Sequence, residues 1–180
     1  MIDSNNNSYV SGYSFNENNN LDACLLKIDQ AGTVVCTYLY KGIKGDDDEF
    51  NDLAISSSGY IYAAGYTKVL NEKRNMLLIK WDPATCDTIW TRTYNYINQS
   101  ERAESMVLDV LGNIYIAGRS DSNPLDSIDN NDIFTVKYDG NGNMLWLRRF
   151  DGTGSMKDEP AKIILDNAGN VIVGGRRIIF

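Results

Sequence analysis

A chain of 180 residues is long enough for a single-domain core, and 43% hydrophobic with 23% charged residues is ordinary globular composition, which excludes wholesale disorder. Its 17 basic and 24 acidic residues leave a formal charge of −7 and no basic stripe, which excludes a phosphate backbone as partner. No apolar run approaches the roughly 20 residues that span a bilayer, so no membrane span is expected, and the Asn/Ser-rich start lacks the basic and apolar regions of a signal peptide.

Taken in chain order, the elements are extended and they repeat. The chain opens with a strand that ends in Tyr9-Val-Ser-Gly12, followed by two more between Asp22 and Tyr40. The next unit has four segments, Leu53–Ser56, Tyr60–Gly65, Met76–Trp81 and Thr88–Tyr94, and the unit after it has Met106–Asp109, Asn113–Gly118, Ile133–Tyr138 and Leu145–Phe150. Two further strands follow, around Ile164 and up to Gly175. That predicts thirteen strands, with no helical periodicity long enough for a crossover helix.

Three sets of anchors carry the repeat. Gly12, Gly65, Gly118 and Gly175, read as the ends of second strands, recur at 53, 53 and 57 residues. Lys27, Lys80 and Lys137 close third strands at 53 and 57, and the acids Asp48, Glu101 and Asp158, read as preceding first strands, show the same two separations. The boundaries expected are a partial unit at 1–49, full units at 50–102 and 103–159, and a partial unit at 160–180.

Turn chemistry makes the segments antiparallel hairpins. Asp109-Val-Leu-Gly112, Asp166-Asn-Ala-Gly169 and Ser56-Ser-Ser-Gly59 join first to second strands, and Asp139-Gly-Asn-Gly142, Asp29-Gln-Ala-Gly32 and Asp82-Pro-Ala-Thr85 join third to fourth. An Asp or Ser at the first position bonds a backbone N–H further along, and the last Gly accepts a left-handed conformation. A four-stranded antiparallel unit in tandem predicts an all-β fold, a β-propeller whose blades bury each other's faces. On the fourth strands, Trp90, Arg92 and Tyr94 share one face, as do Trp146, Arg148 and Phe150; packing between blades, with guanidinium on indole, is the expectation, and a sugar-stacking platform is the alternative.

The run Phe134-Thr-Val-Lys-Tyr-Asp-Gly-Asn-Gly-Asn-Met-Leu-Trp-Leu-Arg-Arg-Phe-Asp-Gly152, then Asp158-Glu159 and Ile164-Leu-Asp-Asn-Ala-Gly-Asn-Val171, resembles the SBBP family of bacterial β-propeller repeats. The resemblance is strongest around Trp90 and Trp146 and weaker at the start, where Cys36 stands in the tryptophan position. It implies a multi-blade propeller within a large secreted or cell-surface bacterial protein, and it supplies no catalytic residues. Propellers close with about four to eight blades, whereas the units here amount to about three and a half. An open arc is therefore expected, one that a longer chain or other chains complete, by further blades or self-association.

Function is expected at the end that carries the variable loops. The binding candidates are Arg119, Asp121, Asp126 and Asp129, in the loop from Arg119 to Asn131, with a protein or a glycan as ligand. Asp46, Asp47 and Asp48 are candidates for calcium, which takes several oxygens from carboxylates and carbonyls, although a solvated acidic rim accounts for them too; no cofactor is expected otherwise. Absence of histidine excludes Ser-His-Asp, Cys-His and histidine-metal chemistry within these residues. The reading is a non-catalytic module for interaction or scaffolding, with part of a propeller enzyme acting on polysaccharide as the alternative. Cys24, Cys36 and Cys86 are an odd number, expected as free, buried thiols, with a Cys24–Cys36 pair conceivable across adjacent strands.

Overall fold

A computed structural model describes residues 1–42, 46–68, 73–96, 100–121, 131–152 and 157–178. Among them are thirteen strands and no helix, in four antiparallel sheets. The first sheet holds β1 (Ser8–Phe15), β2 (Leu21–Ile28) and β3 (Val34–Tyr40); the second holds β4 (Asp48–Ile55), β5 (Ile61–Lys68), β6 (Arg74–Asp82) and β7 (Asp87–Tyr94). The third holds β8 (Glu101–Leu108), β9 (Ile114–Asp121), β10 (Asn131–Tyr138) and β11 (Met144–Phe150), and the fourth β12 (Lys157–Leu165) and β13 (Val171–Ile178). Within every sheet the strands pair in chain order.

The turns form as their residues dictate. In the β10–β11 hairpin the N–H groups of Asn141 and Asn143 both donate to Asp139 Oδ1 at 2.9 Å, and Gly142 donates to the Asp139 carbonyl at 3.0 Å from φ +79°. The Asn143 bonds, backbone first, hold the Asp139 carboxyl below its ordinary range, because they favour the ionised form. Asp109 and Asp166 repeat the arrangement. The turn after β6 is longer than the expected Asp82–Thr85: Cys86 donates its N–H to the Asp82 carbonyl at 2.8 Å and itself takes the left-handed conformation, φ +64°.

Two of the three anchor sets sit elsewhere in their strands than expected. Gly12, Gly65, Gly118 and Gly175 lie inside β1, β5, β9 and β13, which run on past them. Asp48 and Glu101 open β4 and β8 instead of preceding them, and Asp158 lies within β12. The reason is a β-bulge in each first strand, at Phe50/Asp52, Ala103/Ser105 and Pro160/Lys162, which lengthens the strand and breaks the alternation on which sequence patterns depend. The bulge brings strand backbone onto the glycine: a Cβ at Gly65 would overlap the Glu49 carbonyl and one at Gly118 the Arg102 carbonyl. Space, not torsion angle, requires glycine there.

Successive sheets pack face to face. The second and third enclose Tyr62, Ala64, Met76, Leu78, Ile114, Ile116, Phe134, Val136 and Tyr138, all buried, and each large apolar side chain so placed contributes about 1.5–3 kcal/mol. Leu25, Ile79, Trp81 and neighbours do the same between first and second. A polar tie recurs at the first two junctions. Lys27 Nζ donates to the Pro83 carbonyl (3.0 Å) in the turn of the next sheet, and Lys80 Nζ donates to the Gly140 carbonyl (3.4 Å) one sheet further on.

The tryptophans behave as packing residues. Trp90 lies 5.9 Å from Tyr62 with the Arg92 guanidinium 5.1 Å from its ring, and Trp146 lies 6.1 Å from Tyr115. Arg92 also reaches the next sheet, donating from Nε to the Gly142 carbonyl (2.8 Å) and from Nη2 to the Asn141 carbonyl (3.1 Å). At the preceding junction Cys36 occupies the tryptophan position and Cys86 the turn position of Gly142, and the two form a disulfide, with Cα atoms 6.1 Å apart across a separation of 50 residues. This corrects the expectation of three free thiols and of any Cys24–Cys36 pair. In the register of β2 and β3, Cys24 faces Leu39 and Cys36 faces Lys27, so those two cysteines are offset along the strands, and Cys24 is the free, half-buried thiol.

Candidate functional site

First strands of successive sheets run beside one another, and their bulges expose a band of charge. Arg119, on β9, donates from Nη1 to Glu159 (2.9 Å) and lies 2.9 Å from Glu104 through Nε. Arg102 faces the same Glu104 at 3.2 Å and Glu49 at 3.7 Å, and donates to Asn51 Oδ1 at 3.0 Å. Arg176 closes the far end on Glu159 at 2.8 Å. Asn51 and Glu104 are the bulged residues themselves, turned out of the pleat by the irregularity that displaced the sequence pattern.

Burial pushes the Glu104 carboxyl up, outweighing its two arginines, whereas the Arg176 hydrogen bond holds Glu159 down. Around Glu104, Arg119, Glu159 and Arg176 lies an open depression of about 440 Å³. Its guanidinium forks and carboxylates offer paired donors and acceptors of the kind that grip planar anions or vicinal hydroxyls.

A second constellation lies where fourth strands cross to the next first strand. The N–H of Gly42 donates to Asp48 (2.7 Å), that of Tyr96 to Glu101 (3.2 Å) and that of Gly152 to Asp158 (2.8 Å), so each acid fastens the connection that precedes it. Asp48 is fully buried, and that burial raises its carboxyl above the ordinary range. Asp158 meets Asp132 and Asp151, with ligand oxygens all within 4.8 Å of one another. The equivalent positions carry Asp22, Lys41 and Asp48 at the first junction and Asn75, Asn95 and Glu101 at the second. Among the described residues the last junction alone brings three carboxylates together, and these are the oxygens a hard divalent cation would take.

Of the sequence-predicted residues, Arg119 belongs to the charged band, on a strand and not in a loop. Asp121 ends the same strand, while Asp126 and Asp129 lie outside the described residues. Among the described residues the calcium candidates Asp46, Asp47 and Asp48 form no cluster of ligand oxygens. Asp47 accepts the N–H of Leu21 at 3.1 Å and Asp48 that of Gly42, each fastening backbone. Sequence reasoning missed Arg102, Glu104, Glu159, Asp132 and Asp151. Asp22, Asn75 and Asp132 recur at 53 and 57 residues, a signal of the same strength as the anchors that were used.

Compared with known proteins, the chain matches no protein-family model. No curated protein matches it either.

Proposed function

We propose that the chain is a run of β-propeller blades of the SBBP repeat type, serving as a non-catalytic module for protein or glycan interaction, or as scaffold, in a larger bacterial surface or secreted protein. One observation carries the reading. The same docking step recurs, with a third-strand lysine reaching a turn carbonyl of the following sheet at both Lys27–Pro83 and Lys80–Gly140. Sheets that succeed one another by one repeated step generate a radial or linear array. The Cys36–Cys86 disulfide accords with an oxidising, extracellular setting.

We assign the binding end to the charged band and the loop that follows Arg119. A glycan array probed with the natural protein, beside an Arg119→Ala variant and one with residues 122–130 replaced by glycine and serine, tests this. Loss of a defined glycan signal in both variants supports recognition at that end. Turnover of a bound glycan would replace this reading with an enzymatic one, and array binding that neither variant weakens would place the ligand elsewhere.

A further inference from the structure

The first two junctions share one docking step and differ at one residue. At the second, the Lys80 ammonium lies 4.4 Å from the centre of the Tyr60 ring, so that ring occupies the space beside the lysine where the turns of neighbouring sheets converge. Position 7 is the counterpart of position 60, since Asn7 donates its N–H to Asp3 Oδ1 as Tyr60 donates its own to Ser56 Oγ. The Asn7 side chain bends back instead, its Nδ2 donating to Asp3 Oδ2 at 2.9 Å. Lys27, the counterpart of Lys80, therefore has no ring from that position beside it, and a cleft of about 390 Å³ opens between the two sheets. The facing turn that begins at Asp82 is in place, and Lys27 holds its Pro83 carbonyl, so each element of the second junction has its counterpart here. The cleft follows from the residue at position 7 and not from a missing strand.

Its walls are mixed. Tyr60 supplies aromatic surface from the second sheet, and Asn5, Lys27 and Asp82 supply an amide, an ammonium and a carboxylate. Lys27 gives one of its three donors to Pro83, and Asp82 takes the Ala84 N–H on Oδ1, which leaves donors on the first and acceptor oxygen on the second. Such a set matches neither a simple anion nor a simple cation. It matches hydroxyl groups, which donate and accept alike. We propose that this cleft binds one neutral pyranose residue of a glycan, its apolar face against Tyr60 and its hydroxyls bonded to Lys27, Asp82 and Asn5. The site lies at the turn ends of the strands, away from the bulges that carry the charged band. It goes beyond the function proposed above, because it needs neither Arg119 nor the loop that follows.

The test titrates the full chain, labelled with ¹⁵N, against four probes, the methyl glycosides of glucose, galactose and mannose and free N-acetylglucosamine, each to about 50 mM. Saturable shifts of the Asn7, Lys27 and Tyr60 amides are expected with at least one of them. The Asp3→Ser/Asn7→Tyr double change gives the first sheet the turn residues of the second and fills the space, so it should abolish the shifts. Asn5→Ala removes an exposed side chain with little risk to folding, and should weaken binding about three- to tenfold, the worth of one net hydrogen bond. No saturable shift with any probe overturns the proposal, as do shifts that survive the double change in a folded chain or an affinity that Asn5→Ala leaves unaltered. Shifts that Arg119→Ala removes and the double change spares would belong to the charged band, overturning this site while supporting the binding end assigned above. Binding lost in the double change and kept in Arg119→Ala supports this site and leaves the charged band to its own test.

Discussion

Consider alanine at Gly65 and at Gly12, two glycines that the sequence makes equivalent and the structure does not. At Gly65 the new Cβ overlaps the Glu49 carbonyl oxygen and lies 2.8 Å from the Glu49 carbonyl carbon and 2.9 Å from Phe50 Cα. Every obstructing atom is backbone, so no rotamer relieves it, and β4 must move away from β5. Restoring ordinary contact takes about 1.5 Å, which breaks about two ladder hydrogen bonds at about 1 kcal/mol each on top of the usual overpacking cost of about 1–3 kcal/mol. A net loss of about 3 kcal/mol, with a urea slope of about 2 kcal/mol/M, lowers the unfolding midpoint by about 1.5 M. At Gly12 the same atom meets nothing within 4 Å. There the only change is a stiffer chain, worth about 0.5–1 kcal/mol in favour of alanine. The assay is urea unfolding followed by tryptophan fluorescence for both variants. Equal midpoints for Gly65→Ala and Gly12→Ala would refute the bulge-and-glycine argument.

Three further outcomes are expected. Replacing Cys36 and Cys86 with serine opens a loop spanning a separation of 50 residues and lowers stability by about 2–4 kcal/mol; intact-mass analysis after alkylation without reductant should tag one thiol, that of Cys24. Arg92→Lys keeps the charge but cannot span the Asn141 and Gly142 carbonyls as the planar fork does, and should cost about 1–2 kcal/mol in the same urea assay, with midpoints equal to wild type as the contrary result. Asp48 has its folded pKa raised above 3.8, so the folded state holds a proton that the unfolded chain releases, and this group's contribution to stability falls as pH rises through the window above 3.8. Wild type should therefore gain stability relative to Asp48→Asn as pH is lowered into that window, read from urea midpoints at several pH values; parallel profiles would contradict it.

The strands were legible because their punctuation is chemical: an Asp that bonds N–H groups two and four residues on, closed by a left-handed glycine, fixes each hairpin by local rules. The first strands were harder to read. Their bulges at Asn51 and Glu104 break the period of two, so strand starts at Asp48 and Glu101 read as loop. The site suffered for the same reason, since Glu104 is the bulged residue, its partner Arg119 comes from another strand, and the Glu159 that Arg119 also holds comes from another sheet. The disulfide is not legible from neighbouring strands because it joins different sheets. Aligning the repeats makes it visible, as one cysteine replaces the tryptophan and the other the turn glycine. The three-carboxylate set escaped because Asp151 and Asp158 flank a connection whose ends converge only in three dimensions.

That substitution has a consequence for how the array comes apart. The first joint carries a disulfide where the second has the Arg92 guanidinium donating to the Gly142 and Asn141 carbonyls, so the two answer to different solvents. A reductant loosens the first sheet and spares its successors, while concentrated salt or added guanidinium competes at Arg92 and leaves the sulfur bridge shut. Separation should begin on opposite faces of the second sheet according to the medium.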